Sequence, residues 1–163
     1  MPELGRAPYS WRADPAVPRF DDSAPLFVFD GVCVLCSTGA AFVMRRDTAG
    51  RINMASAQSP LGQALYRHFG LALDDSYLFL GDGRAFTKSA GYLALFAALG
   101  GWWHLLRAEA IIPERLRDWA YDRIAANRYR WFGKAQACAL LTPEQRRRLI
   151  GGDAAPTSSV LSR

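Results

Sequence analysis

Cys33 and Cys36 stand two residues apart in the run Asp30-Gly31-Val32-Cys33-Val34-Leu35-Cys36, and no other segment of the chain has side chains so suited to chemistry. A Cys-x-x-Cys pair on a helix start places the second sulfur about one helical turn beyond the first, within reach of disulfide closure. The chemistry is dithiol–disulfide exchange. A thiolate at Cys33 attacks a disulfide, and Cys36 then attacks the resulting mixed disulfide and closes the Cys33–Cys36 bond. In this reading Cys33 is the exposed attacker and Cys36 the buried resolver. Asp30 has two available roles: taking the Cys36 proton during resolution, or accepting backbone N–H bonds that fix the turn before the helix. The second is the commoner use of Asp at such a position.

Two blander readings compete. The cysteines could be small buried apolar residues, or two ligands of a zinc site. Zinc would need Cys138, His68 or His104 to complete its ligands, and neither a second Cys-x-x-Cys nor a closely spaced His pair exists. No metal and no cofactor is therefore expected.

The pair must be held by its flanking elements. Leu26-Phe27-Val28-Phe29 reads as a buried strand, Asp30-Gly31 as the break, and the segment from Cys36 as a helix ending between Asp47 and Gly50. Backbone N–H groups at that helix start favour a thiolate. Further on, 51–55 reads as a second strand, and Ser59-Pro60 begins a helix that Gly70 stops after Phe69. Strands at 77–80 and 84–87 flank the turn residues Gly81-Asp82-Gly83 and make a hairpin. A helix over about 89–99 follows, then a Gly100-Gly101 break and a second helix carrying Trp102-Trp103. Pro113 opens the last long helix, to about Arg130. Its Ile112, Leu116, Trp119 or Ala120, and Ile124 form an apolar face, with Arg115, Arg117, Arg123, Arg128 and Arg130 largely on the other sides, and the segment 128–132 is expected to pack on the sheet. Asp118 and Asp122 are expected to pair with neighbouring Arg, and Thr142 to cap a short final helix. The domain plan is an extended or mobile arm over 1–24, one domain over 25–150, and a frayed tail over 151–163.

The residues resemble the DCC family of thiol-disulfide oxidoreductases. The Asp-x-x-Cys-x-x-Cys signature falls on Asp30, Cys33 and Cys36. The likeness continues through Arg45-Arg46-Asp47, Gln58-Ser59-Pro60, Ser89-Ala90, Pro113, Arg117-Asp118, Tyr121, Asn127 to Gly133, and Cys138. It implies a redox role and an α/β, thioredoxin-like fold, three-layer α/β/α with about four strands and extra C-terminal helices. The order of elements read above agrees. One departure stands out. Thioredoxin-like redox proteins carry a cis-proline before the third strand, facing the cysteines. That place falls at Asp75-Ser76 here, with no proline between Pro60 and Pro113. Cys138 is either a third redox thiol or a buried small residue.

Composition narrows the setting. With 163 residues, half of them hydrophobic, the chain can bury a core. Three cysteines do not make a secreted disulfide scaffold, and the first twenty residues lack the apolar segment of a signal peptide, so a cytoplasmic location is expected. The net charge is +5, carried by Arg with Lys only at 88 and 134. The uncharged run from Ala90 to Leu106 is broken by Gly100-Gly101 and too short to span a bilayer, although Trp102-Trp103 leave membrane-peripheral contact open. Arg and aromatic residues alternate over 128–132, but without an RNA- or DNA-binding motif no nucleic acid is expected. The expected partner is a protein disulfide or a low-molecular-weight thiol. The rival class is a thioredoxin-like binding module without redox turnover.

Overall fold

The computed structural model describes residues 4–73, 76–135 and 140–151. Strand β1 (Leu26–Phe29) lies inside the sheet with all four side chains buried. Leu26 and Val28 enter one apolar cluster and Phe27 and Phe29 the other, as alternation along a strand covered on both faces requires. Helix α1 (Val34–Arg46) and strand β2 (Asn53–Ser56) follow, and β2 pairs parallel with β1. Next come α2 (Pro60–Phe69), β3 (Leu78–Gly81) and β4 (Arg84–Phe86). Strand β3 pairs antiparallel with β1 and β4 antiparallel with β3, giving the order β2-β1-β3-β4. Asp82 (φ 49°) and Gly83 (φ 77°) form the two-residue hairpin loop, the positive-φ geometry that matches strand twist.

Helix α2 covers the Leu26/Val28 face, while α1 and α3 (Lys88–Leu99) cover the Phe27/Phe29 face. This is the three-layer, thioredoxin-like α/β/α arrangement expected, with four strands. Ser59 caps α2 by accepting the Gly62 N–H at 3.0 Å, and Gly70 ends it at φ 69°. Gly62 is dictated by closeness: a Cβ there would lie 2.1 Å from the Ser56 carbonyl oxygen.

Buried Asp47 ties three segments together. It accepts the Arg51 and Ile52 N–H groups at 2.9 and 3.0 Å and pairs with Arg148 at 3.1 Å, just after α5 (Pro143–Arg147). Thr142 caps α5 in the expected box. Leu149 then bridges to Met54 and covers the β2 edge. The described residues of the expected arm lie on the α2 face, with a 3-10 helix at Ser10–Ala13 and Trp11 and Val17 in the core. His68 fastens them, its Nδ1 2.6 Å from Asp14 and its Nε2 2.9 Å from Ser10 Oγ.

The C-terminal part differs from expectation. The second helix expected after Gly100-Gly101 is a 3-10 helix, Gly101–Ile111, and α4 (Glu114–Phe132) packs on α3 and α1 rather than on the sheet. The expected apolar face points outward: Ile112, Leu116, Trp119 and Ile124 are all exposed, and the buried residue is Arg128. The inward face is polar because its partners are polar. Asp118 accepts the Ser89 hydroxyl at 2.5 Å, Asp122 pairs with Lys88 at 2.9 Å, and Tyr121 meets Ser76 at 2.9 Å. Among the described residues neither Asp pairs with the Arg expected. Among the described residues no helix is long and apolar enough to cross a membrane.

Candidate active site at the first strand–helix junction

The chain leaves β1 at Phe29, turns through Asp30 to Val32, and enters α1 with Cys33 as its N-cap. The Cys33 sulfur replaces the usual capping oxygen and accepts the Cys36 N–H at 3.3 Å. Both thiols are free. The Cys33 thiol pKa is pushed down to about 6, chiefly by a hydrogen bond from the Cys36 thiol. Burial opposes the shift, the Cys36 N–H adds to it, and the Arg128 charge also favours the thiolate. Cys36 is driven the other way, first by giving its proton to that same bond and then by burial. The opposite shifts favour a singly ionised pair with its negative charge on Cys33 at the helix start.

Exposure is the reverse of the sequence expectation. Cys33 is 0% exposed, whereas Cys36 is half-buried. The cover over Cys33 comes from the chain after α4. Gly133, at φ 85°, turns that chain back, and Lys134 bridges to Cys33 in antiparallel fashion. The Ala135 N–H donates to Val32 O at 2.9 Å and the Val34 N–H to Gly133 O at 3.4 Å.

Asp30 sits beneath the pair, 3% exposed and bonded on both oxygens. Oδ1 accepts from the Val32 N–H at 3.0 Å and from Gln58 Nε2 at 2.8 Å. Oδ2 accepts from the Tyr129 hydroxyl and from Arg128 Nη2 at 3.5 Å. Gln58 in turn accepts the Gly31 N–H at 2.9 Å and the Ser56 hydroxyl at 2.8 Å. These bonds fix the turn before Cys33 and link β1, β2 and α4 at one point. The Asp30 charge disfavours a thiolate and the Arg128 charge favours one, so the ion pair sets the field at the sulfurs.

On its other side Cys36 forms part of the wall of a cavity of about 450 Å³ between α1, α3 and α4. Ser76, the residue at the position expected for a cis-proline, also lines it. Its hydroxyl is engaged by Tyr121 and by the Lys88 N–H at 3.3 Å. The neighbouring Asp75 lies outside the described residues, and no cis peptide bond occurs among those described. Cys138 is likewise outside them. Of the candidate metal ligands, His68 is engaged by Asp14 and Ser10. No group of three or more metal-ligating side chains occurs among the described residues.

The family model for DCC1-like thiol-disulfide oxidoreductases matches residues 27–134. The chain belongs to this family. The uncharacterized protein YuxK of Bacillus subtilis is 40% identical over 127 residues, covering 77% of this chain and 93% of its own. A chloroplastic DCC family protein of Arabidopsis thaliana is 32% identical over 123 residues, 74% of this chain and 72% of its own. No solved structure matches the chain significantly. The matched span ends at Lys134, so it contains Asp30, both cysteines and the Lys134 bridge to Cys33.

Sequence reasoning brought Asp30, Cys33 and Cys36 to one place, and the structure joins them there. It gave no role to Gln58, Arg128, Tyr129, Gly133 or Lys134. The signal was present: Gln58 and the 127–133 run carry the family likeness, and a buried carboxylate calls for a cationic partner.

Proposed function

We propose that the chain is a thiol-disulfide oxidoreductase whose Cys33–Cys36 pair cycles between dithiol and disulfide with a partner disulfide or thiol. The observation that carries this reading is the Cys33 sulfur capping α1 and accepting the Cys36 N–H at 3.3 Å, with both thiols free. Such an arrangement keeps the pair singly ionised at neutral pH, with one sulfur to attack and the other to displace the mixed disulfide. Each turnover moves two electrons. The dithiol loses two protons and gains an S–S bond, while the partner disulfide becomes two thiols. A reducing compartment such as the cytoplasm would hold the pair as dithiol, ready to reduce its partner.

Asp30 supports exchange by holding the turn through Val32 and by balancing Arg128, which is a positioning role. The test is mixed-disulfide trapping with Cys33→Ser and Cys36→Ser proteins, with the bound thiol identified by mass spectrometry. Exchange predicts a partner retained on one remaining sulfur. If neither variant retains one, and the double variant preserves the cellular role, the chain is instead a binding module on a thioredoxin-like shell.

A further inference from the structure

Two approaches lead to the sulfurs, and they differ in what they admit. From one side Cys33 is 0% exposed under residues 133–135. From the other, Cys36 faces the 450 Å³ cavity, a volume typical of small-molecule sites and too small for a folded partner's disulfide loop. The walls beside Cys36 are Leu35, Phe42, Phe96, Ile124 and Phe132, and Ile124 and Phe132 are also exposed to solvent. Of the charged side chains lining it, Asp30 and Arg128 already pair with each other, and Tyr129 bonds to both. A carboxylate or ammonium brought in would lose its water and find no uncommitted counter-charge. Ser76, Tyr77, Tyr92 and Tyr121 bring neutral hydroxyls to the lining, and those of Ser76 and Tyr121 lie 2.9 Å apart.

We propose that this cavity is the substrate site, taking a small, uncharged disulfide with an apolar body whose sulfur meets Cys36 before Cys33. The inference rests on the exchange reading and names its substrate class. The bonds balance as follows. Cys36 passes its proton to the Cys33 thiolate and attacks one substrate sulfur, breaking the substrate S–S bond. The first thiolate leaves and takes that proton from Cys33. Cys33, again a thiolate, attacks the Cys36 sulfur, closes the Cys33–Cys36 disulfide and expels the second thiolate. The protein loses two electrons and the substrate gains them.

The test compares dipropyl disulfide, glutathione disulfide and insulin as oxidants of the reduced full chain, each rate divided by that probe's rate with free dithiothreitol. The expected result is a normalised preference of at least about tenfold for dipropyl disulfide, with the propylthio adduct found on Cys36 in Cys33→Ser and absent from Cys33 in Cys36→Ser. Gly39 lines the cavity one turn beyond Cys36, and a Cβ there meets nothing within 4 Å. Gly39→Leu should therefore fill the site without strain. It is expected to abolish the preference while the melting temperature and the Cys33 thiolate midpoint stay as in the parent. An equal or greater normalised rate with glutathione disulfide or insulin overturns the inference and leaves exchange standing. So does a preference that survives Gly39→Leu, or an adduct on Cys33. Failure of all three disulfides to oxidise the pair overturns both readings.

Discussion

Replacing Cys36 with Ala removes the largest cause of the low Cys33 pKa and leaves the backbone bond from residue 36 in place. A hydrogen bond to a charged group contributes about 1.5–3 kcal/mol, and one pKa unit corresponds to about 1.4 kcal/mol. Loss of the thiol donor should therefore raise the Cys33 pKa by about 1–2, from about 6 to about 7–8. At pH 7 the thiolate fraction would fall from about nine-tenths to between one half and one tenth. Cys36→Ser retains a donor and should stay closer to the parent. Thiolate ultraviolet absorbance against pH is the right assay, because it reads the charge directly and does not require a reagent to reach the covered sulfur. An Ala variant titrating at the parent midpoint would refute the shared-proton account. So would a parent midpoint in the ordinary thiol range.

Asp30→Asn should lower that midpoint and Arg128→Met should raise it, since the two charges act on Cys33 with opposite signs; the same titration reads both. Because the folded-state pKa of Cys33 is depressed, its thiolate stabilises the fold fully above the ordinary thiol pKa, and that stability is lost as pH falls through about 6. The melting-temperature advantage of the parent over Cys33→Ser should shrink between pH 9 and pH 5. Gly62→Ala should destabilise the chain by about 1–3 kcal/mol in chemical denaturation, because backbone at Ser56 and Ala57 blocks the new methyl.

The strand–helix junction was legible because both of its signals are local. Leu26 to Phe29 has no polar side chain to leave exposed, and Asp30-Gly31 can only break it. The hairpin was legible for the same reason, with Asp82-Gly83 suited to positive φ. Helix α4 is less legible, because apolar spacing at Ile112, Leu116 and Ile124 suggests an inner face where the structure has an exposed one. The inner face is chosen instead by long-range polar partners: Ser89 and Lys88 on α3, Ser76 before β3, and Asp30 after β1. No window along α4 contains those partners. The cover over Cys33 was hidden likewise, since a bridge between residues 33 and 134 joins distant parts of the chain. Nearness of Cys33 to the helix start was read correctly, but its exposure depended on that bridge.

Redox cycling of Cys33 and Cys36 can be read by equilibrating the protein across a series of dithiothreitol redox buffers and counting alkylatable thiols by intact mass. Two thiols should disappear together in one two-electron transition, peptide mapping should find a Cys33–Cys36 disulfide, and either Cys→Ser substitution should abolish the transition. Cys33 and Cys36 both remaining alkylatable, after denaturation, under the most oxidising buffer would contradict such cycling.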